Sequence, residues 1–265
     1  MSAVLAVRDL AKNFGAVTAA ANINVEIAEQ EVVGVIGANG AGKTTFVNMV
    51  TGYLPPSAGE IDFLGRSILG LRPRAITRLG ISRSFQVAQV FASETVFDNM
   101  LIAFGVAEMR GPGLLRILHT ESRARRVAEQ LERYRISEYR DVIASSLPQG
   151  VRKLLDIAMA MVSKPRLIML DEPTSGISIE EKFDIMDIIM GALREARTTV
   201  LFIEHDMEIV ERYVSRVLAF YQGEIICDAP TAEALKDPKV KEFVIGKEYH
   251  RGRAGDEGKG EKAGA

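Results

Sequence analysis

Nine consecutive residues, Gly37-Ala38-Asn39-Gly40-Ala41-Gly42-Lys43-Thr44-Thr45, interrupt an apolar run and have the composition needed to hold a polyphosphate. Gly37, Gly40 and Gly42 let the backbone bend tightly and turn successive N–H groups into one concave nest. A helix starting near Lys43 adds unpaired N–H groups and the positive end of its dipole. The Lys43 ammonium can reach β- and γ-phosphates, the Thr44 hydroxyl can complete the shell of a Mg²⁺ ion, and Thr45 falls beside an α-phosphate. An ordinary glycine-rich turn has the same letters. The flanks distinguish the two: Val32-Val33-Gly34-Val35-Ile36 reads as a buried strand and Phe46, Val47, Met49 and Val50 have helical spacing.

Three other places carry groups suited to phosphoryl chemistry. The run Arg166-Leu167-Ile168-Met169-Leu170 ends in Asp171-Glu172, and two carboxylates at the tip of a covered strand are costly without a cation nearby. Nucleotide-bound Mg²⁺ would supply that charge, with Asp171 on the metal shell and Glu172 positioning or deprotonating the attacking water. Thr199-Val200-Leu201-Phe202-Ile203 ends in the same manner before His205, and Ile81–Phe85 delivers Gln86, whose amide can ligate Mg²⁺ or hold water. Phe14 beside Gly15 offers a face for a nucleobase, or serves as a packed loop anchor. Taken singly, an acidic pair is a cap or surface turn, a histidine packs, and a glutamine decorates a surface.

The elements that must bring these groups together follow from periodicity. Residues 4–8 and 23–27 read as strands, the second alternating Ile23, Val25 and Ile27 with polar neighbours. Further strands are expected at 60–65, 81–85, 166–170, 199–203, 216–221 and 224–228, the last two joined across Gln222-Gly223. Helices are expected from Pro73 to Leu79, over 179–196, and near 231–236 and 238–245. Between 87 and 163 the pattern is helical, with Gly111-Pro112-Gly113 interrupting it. Parallel strands joined by helices present their carboxyl ends at one edge, where residues 37–45, Gln86, Asp171, Glu172 and His205 can converge. The expected fold is therefore α/β, a P-loop NTPase core with a mixed sheet, an N-terminal antiparallel β part and a smaller helical lobe. The core spans 1–86 and 164–246 and the lobe 87–163. Residues 247–265, glycine-rich and charged, are expected to be disordered.

Composition removes several classes. With 33 basic and 35 acidic residues the net charge is −2, without the footprint of a nucleic-acid binder. The arginine-rich stretch 121–135 pairs Glu121 with Arg125 and Glu129 with Arg133 at helical spacing, so a solvated, salt-bridged face is expected there. A single cysteine, Cys227, forms no intramolecular disulfide and reads as a small packed filler. No run of eighteen apolar residues and no charged-then-apolar leader are found, so membrane association is expected to come through a partner. His119 has no partners at ligand spacing.

Taken in order, GANGAGKTT, Gln86, Leu147-Pro148-Gln149-Gly150 before a helix, LIMLDEPTSG and IEHD resemble the ATPase subunit of ABC transporters, over about residues 4–246. Within that family SRSFQ, FASETVFDNMLIA, the insert at Gly111-Pro112-Gly113 and the ending near VKEFVIG resemble the ATPases of branched-chain amino acid importers, whose relatives serve urea, amides and aromatic acids. The resemblance implies an ATP sandwich: two subunits meet head to tail, each ATP held between one P-loop and the other's signature loop. It implies that Phe14 stacks on adenine, Gln86 lies on the loop sensing the membrane subunit, Glu172 handles water and His205 contacts the γ-phosphate. Asp171, Gln86 and Thr44 would attend the Mg²⁺. The implied partners are a second ATPase subunit, integral-membrane permease subunits whose coupling helix docks on the helical lobe and, indirectly, a periplasmic solute-binding protein, but no nucleic acid. The implied location is peripheral, on the cytoplasmic face of the inner membrane. An ABC-type ATPase acting on nucleic acid or ribosomes is the alternative, but the long coiled-coil insert or second ATPase half usual there is missing. A P-loop kinase would require neither LPQG nor His205.

Two residues depart from the family pattern. The signature LSGGQ matches Leu147, Pro148, Gln149, Gly150 and Val151, so Pro148 stands where a serine would bind the partner's γ-phosphate, and proline offers neither hydroxyl nor N–H. A lost hydrogen bond to charged phosphate costs roughly 1.5–3 kcal/mol. Ser178 replaces the aspartate or asparagine common in the D-loop. The pattern suggests an asymmetric heterodimer, this chain's P-loop site being completed by another subunit's intact signature, with a homodimer tolerant of Pro148 as the alternative.

Overall fold

The computed structural model describes residues 3–84, 88–108 and 119–246. Gln86, Gly111-Pro112-Gly113 and the segment 247–265, including His250, lie outside the described residues.

Two sheets organise the chain. Strands β1 (Ala3–Phe14), β2 (Val17–Ala28), β4 (Ala58–Phe63) and β5 (Arg66–Ser67) form an antiparallel sheet ordered β2-β1-β4-β5. The second sheet is mixed and ordered β10-β9-β3-β8-β7-β6, from β3 (Val32–Gly37), β6 (Ile81–Ser84), β7 (Leu167–Asp171), β8 (Thr199–Ile203), β9 (Arg216–Tyr221) and β10 (Glu224–Pro230). All its strands but β10 are parallel to their neighbours; β10 turns back antiparallel on β9 through Gln222 and Gly223, both at positive φ. That is the geometry a two-residue hairpin requires.

Alternation along the parallel strands sorts side chains to two cores. Val33, Val35, Met169, Leu201, Ile203, Leu218 and Phe220 face the antiparallel sheet and helix α1 (Lys43–Val50), meeting Leu5, Leu10, Ile23, Ile61 and Phe46. Ile36, Ile168, Leu170, Val200, Phe202, Val217 and Ala219 face the other way, into a cluster with the longer helices. Helix α2 (Pro73–Leu79) has Pro73 in its first turn and ends on Gly80 at φ 115°, packing Ile76 into the first core. On the second face lie α3 (Val96–Glu108), α4 (Glu121–Arg133), α5 (Gln149–Met161), α6 (Ile179–Glu195) and α7 (Met207–Tyr213). Short turns α8 (Thr231–Ala234) and α9 (Pro238–Val240) and a π-helical turn at Lys241–Ile245 close the described chain. Because α3, α4 and α5 share one continuous cluster with the sheet, these three helices pack directly onto the core. Ser84 Oγ reinforces that junction, donating to Asp156 of α5 at 2.5 Å.

Two expectations need correction. The first hairpin is far longer than 4–8 and 23–27: its twelve-residue strands carry register shifts between Val7 and Leu10 and between Leu10 and Lys12, with Asp9 and Asn22 at positive φ, and these bulges erase the alternation. Among the described residues the ion pairs of the α4 arginines run to other helices, and within α4 Arg133 bonds the Gln130 amide at 3.2 Å rather than Glu129. Arg123 and Arg126 bind Glu108 of α3, and Arg133 binds Glu195 of α6 at 3.1 Å, so the charged face ties three helices together. Cys227 is half-buried against the helical cluster, and burial raises its thiol pKa. His119 is exposed, its ring tilted on Phe97. Among the described residues no helix is long and apolar enough to cross a membrane.

Candidate active site

The parallel strands end at a common margin. The register pairs Gly37 of β3 with Phe220, Asp171 of β7 with Ile203 of β8, and Ser84 of β6 with Leu170. The described residues after 37, 171 and 203 therefore emerge on the same edge, where β6 also ends.

The loop after β3 is shaped by its glycines. Gly37 has φ 153°, and a Cβ there would lie 2.5 Å from the carbonyl oxygen of Phe220; Gly42 has φ 104°, and a Cβ would lie 2.8 Å from that of Ala19. Both backbones approach neighbours too closely for a side chain. Gly40, at φ 80°, faces open space, so its glycine serves the turn alone. Ala38, Asn39 and Gly40 are exposed, while Ala41 and Lys43 are buried against the fold. Gly42 is the N-cap of α1, no side chain caps that end and no acid sits in its first turn, which leaves the helix's positive end to an anion. Thr44 and Thr45 occupy this first turn. The Lys43 ammonium donates to the carbonyls of Gly37 and Ala38, at 2.6 and 3.0 Å, and so sits inside the concavity. Burial lowers its pKa, while the charges of Glu172 and Asp171 oppose that shift. The strand order puts the lysine and the acidic pair at one edge, since β3 pairs with β8 and β8 with β7.

Asp171 and Glu172 face different surroundings. Asp171 is buried, and its Oδ2 accepts from Arg83 at 2.6 Å; Arg83 also donates to Asn48 of α1 at 2.6 Å. The cation anticipated solely from metal is therefore provided in part by a strand-borne arginine. Buried Lys153 of α5 stands close by, its pKa lowered by burial and supported by Asp156, Asp171, Glu204 and Glu172. Glu172 adopts φ 46°, uncommon for a residue with a Cβ, and its N–H donates to Ile203 at 3.0 Å. Its Oε1 lies 3.9 Å from Nδ1 of His205, whose side chain is two-thirds exposed. The imidazole and the acidic pair thus share one margin with the glycine loop.

Phe14, 52% exposed, closes β1 opposite Val17 and has the Lys12 ammonium 5.1 Å above its ring. Strand β2 then brings Ala19 against Gly42, so the hairpin end stands beside the phosphate loop. Phe14 is an exposed ring, not a packed anchor.

The Leu147–Val151 stretch opens α5. Leu147 is buried, and Pro148 occupies the N-cap at φ −52° and ψ 150° without a side-chain cap. Gln149 Nε2 donates to the carbonyl of Ser175 at 3.1 Å, tying this loop to the turn that follows Glu172. Gly150 lies against Ile185 of α6, where a Cβ would sit 3.1 Å from the isoleucine Cδ1. Ser178 caps α6, accepting from the N–H of Glu181. Sequence reasoning passed over three residues at this margin: Arg83, Lys153 and Glu204. The signal available was a charged residue inside an apolar strand or helix face, but the side chains that Arg83 and Glu204 bond, Asp171 and Thr174, lie tens of residues away.

The known proteins agree with this architecture. Residues 20–175 match the model of the family described as ABC transporter. The chain is 35% identical to the high-affinity branched-chain amino acid transport ATP-binding protein LivG of Salmonella typhimurium, over 92% of this chain and 98% of that protein. It is 33% identical to its counterpart BraF of Pseudomonas aeruginosa, with the same coverage. A crystal structure of an ATP-binding cassette of an ABC transporter in its ADP conformation superposes with a TM-score of 0.81 at 28% identity, covering 91% of this chain and 97% of the other. The glycine loop, the acidic pair and the histidine thus share a sheet margin in a chain that belongs to the ABC transporter family, whose ATPases couple ATP hydrolysis to transport.

Proposed function

We propose that this chain is the ATP-hydrolysing subunit of an ABC importer that takes up branched-chain amino acids or related small molecules. The observation carrying the catalytic part is the convergence of Lys43, Asp171, Glu172 and His205 at one margin; the cargo rests on what relatives such as LivG transport. The P-loop N–H groups and Lys43 hold the β- and γ-phosphates, and Phe14 stacks on the adenine. Glu172 takes a proton from water as the water oxygen attacks the γ-phosphorus, while the bond from that phosphorus to the β-phosphate oxygen breaks. His205, beside Glu172, steadies the γ-phosphate. Thr44 and Asp171 offer hard oxygen donors, and among the described residues no cluster of three His, Cys, Asp or Glu exists to hold a metal alone. That donor set suits Mg²⁺, which keeps phosphate oxygens and water in its shell, with Gln86 as a further ligand. Bound there, Mg²⁺ would neutralise charge developing between the β- and γ-phosphates.

A second subunit supplies the signature loop that completes this chain's nucleotide site, and residues 147–151 of this chain complete the reciprocal one. A cavity of about 1080 Å³ between β6, α3 and α5, bordered by the exposed side chains of Tyr53, Phe91 and Val106, supports docking of a permease segment beside the helical lobe. The deciding experiment is reconstitution with the permeases and solute-binding protein in lipid vesicles. ATP-driven uptake of leucine, isoleucine or valine is expected; ATP hydrolysis that no such solute stimulates would refute the cargo and leave the ATPase standing.

Pro148 decides the symmetry of the pair. With this chain's own site silenced by Glu172→Gln, Pro148→Ser is expected to raise turnover at the reciprocal site about tenfold or more, the return of roughly 1.5–3 kcal/mol of phosphate binding. The serine would also cap α5, worth about 0.5–2 kcal/mol, against about 0.4–1 kcal/mol lost with proline's stiffness in the unfolded chain. A small rise in melting temperature with unchanged turnover would favour the homodimer that tolerates Pro148.

A further inference from the structure

Glu204 is a carboxylate almost sealed from solvent, 1% exposed, standing between β8 and His205. Four donors converge on it. Oε1 accepts from the Thr174 hydroxyl at 2.5 Å and the Thr174 N–H at 3.3 Å; Oε2 accepts from the N–H groups of His205 and Asp206, at 3.1 and 3.4 Å. A charge is retained in an interior only when its hydrogen bonds are made, and here they are made to two separate turns. One turn follows Glu172 and the other carries His205. The strand needs no acid at this point, since β8 is apolar throughout and a neutral residue would end it equally well.

The register explains what the carboxylate joins. Asp171 lies opposite Ile203, so Glu172 and Glu204 leave adjacent strands at one level, and the Glu172 N–H donates back to Ile203. Nδ1 of His205 lies 3.9 Å from Oε1 of Glu172 and 3.9 Å from Oε2 of Glu204. From outside, the same turn is held by Lys182 of α6, which donates to Asp206 at 2.7 Å and Glu208 at 3.0 Å. From inside, the buried ammonium of Lys153 is electrostatically coupled to both Glu204 and Glu172.

We propose that Glu204 is a positioning residue for ATP hydrolysis: by bridging Thr174 to the His205 turn it presets the spacing of Glu172 and His205. It touches neither nucleotide nor water and acts through the two residues it spaces. The inference rests on the ATPase reading above.

The test uses the full-length chain in its assembled transporter. Glu204→Gln keeps the size but offers one acceptor oxygen where two are used, so it cannot serve both turns. We expect kcat to fall about tenfold or more, ATP affinity to stay within twofold, and the His205 ring resonance, assigned by its loss in His205→Ala, to shift while that of His119 does not. In a His205→Ala background the same substitution should bring no further loss of the residual rate. A kcat within twofold of wild type, an unmoved His205 resonance, or an equal fractional loss in both backgrounds would overturn the proposal. Should Glu204→Gln fail to fold, Thr174→Val removes the hydroxyl bond, the shorter of the two on that side, while leaving the N–H bond, and a change in kcat below twofold there would overturn the proposal as well. If the wild-type assembly fails to hydrolyse Mg·ATP, the ATPase reading itself falls; hydrolysis indifferent to Glu204 defeats the positioning role alone.

Discussion

Replacing Glu172 by glutamine is expected to leave ATP bound and to cut hydrolysis by about 10²–10⁴-fold, the usual contribution of a positioned general base. Glutamine preserves the side chain's size and reach but cannot accept the water proton. The backbone already holds this residue at φ 46° with its N–H fixed to Ile203, so the substitution alters chemistry rather than placement. Nucleotide affinity should hold or improve, because one negative charge is removed near the terminal phosphate while the Lys43 site is untouched. Single-turnover hydrolysis measured beside retention of radiolabelled ATP separates the two effects. Near-normal hydrolysis in the variant would end the assignment of Glu172, and with it the asymmetric-dimer argument that depends on silencing this site.

Much of this margin was legible because phosphate chemistry leaves local marks. The glycine spacing around Lys43 and the apolar runs ending at Asp171 and Ile203 are contiguous features, and strand order turns them into neighbours. The helix over 149–161 was visible because Leu154, Leu155, Ala158 and Met161 repeat on one buried face. What escaped was set by contacts distant in sequence. Arg83 sits in an ordinary strand pattern, and its partner Asp171 lies far along the chain. Glu204 was overshadowed by His205, since nothing near it predicts that Thr174 will come within 2.5 Å. Intrahelical spacing suggested pairs within α4, whereas packing of α3 and α6 brought Glu108 and Glu195 within closer reach. Bulges at Asp9 and Asn22 hid half of the first hairpin, because a single extra residue inverts the alternation on which strand reading relies.

Arg83→Ala should be the most destabilising single change near the site. The Arg83–Asp171 pair is buried on both sides, with side chains 7% and 12% exposed, and its second bond to Asn48 anchors α1, the helix that bears Lys43 and Thr44. Removing only the cation strands a carboxylate in the interior, which typically costs about 3–5 kcal/mol, whereas a surface pair would cost less than about 1 kcal/mol. For a domain of this size each kcal/mol lowers the melting temperature by about 2–4 °C, so a drop of about 6–20 °C is expected. Calorimetry on the full chain measures it, and a change below 2 °C would show that Asp171 does not depend on this cation. Adding the compensating change, Asp171→Asn, should restore much of the stability, because the stranded charge is then gone. It should not restore hydrolysis, since the carboxylate that attends the Mg²⁺ has been removed with it. Stability and turnover therefore separate in the double variant, which distinguishes a residue that balances charge from one that takes part in the reaction.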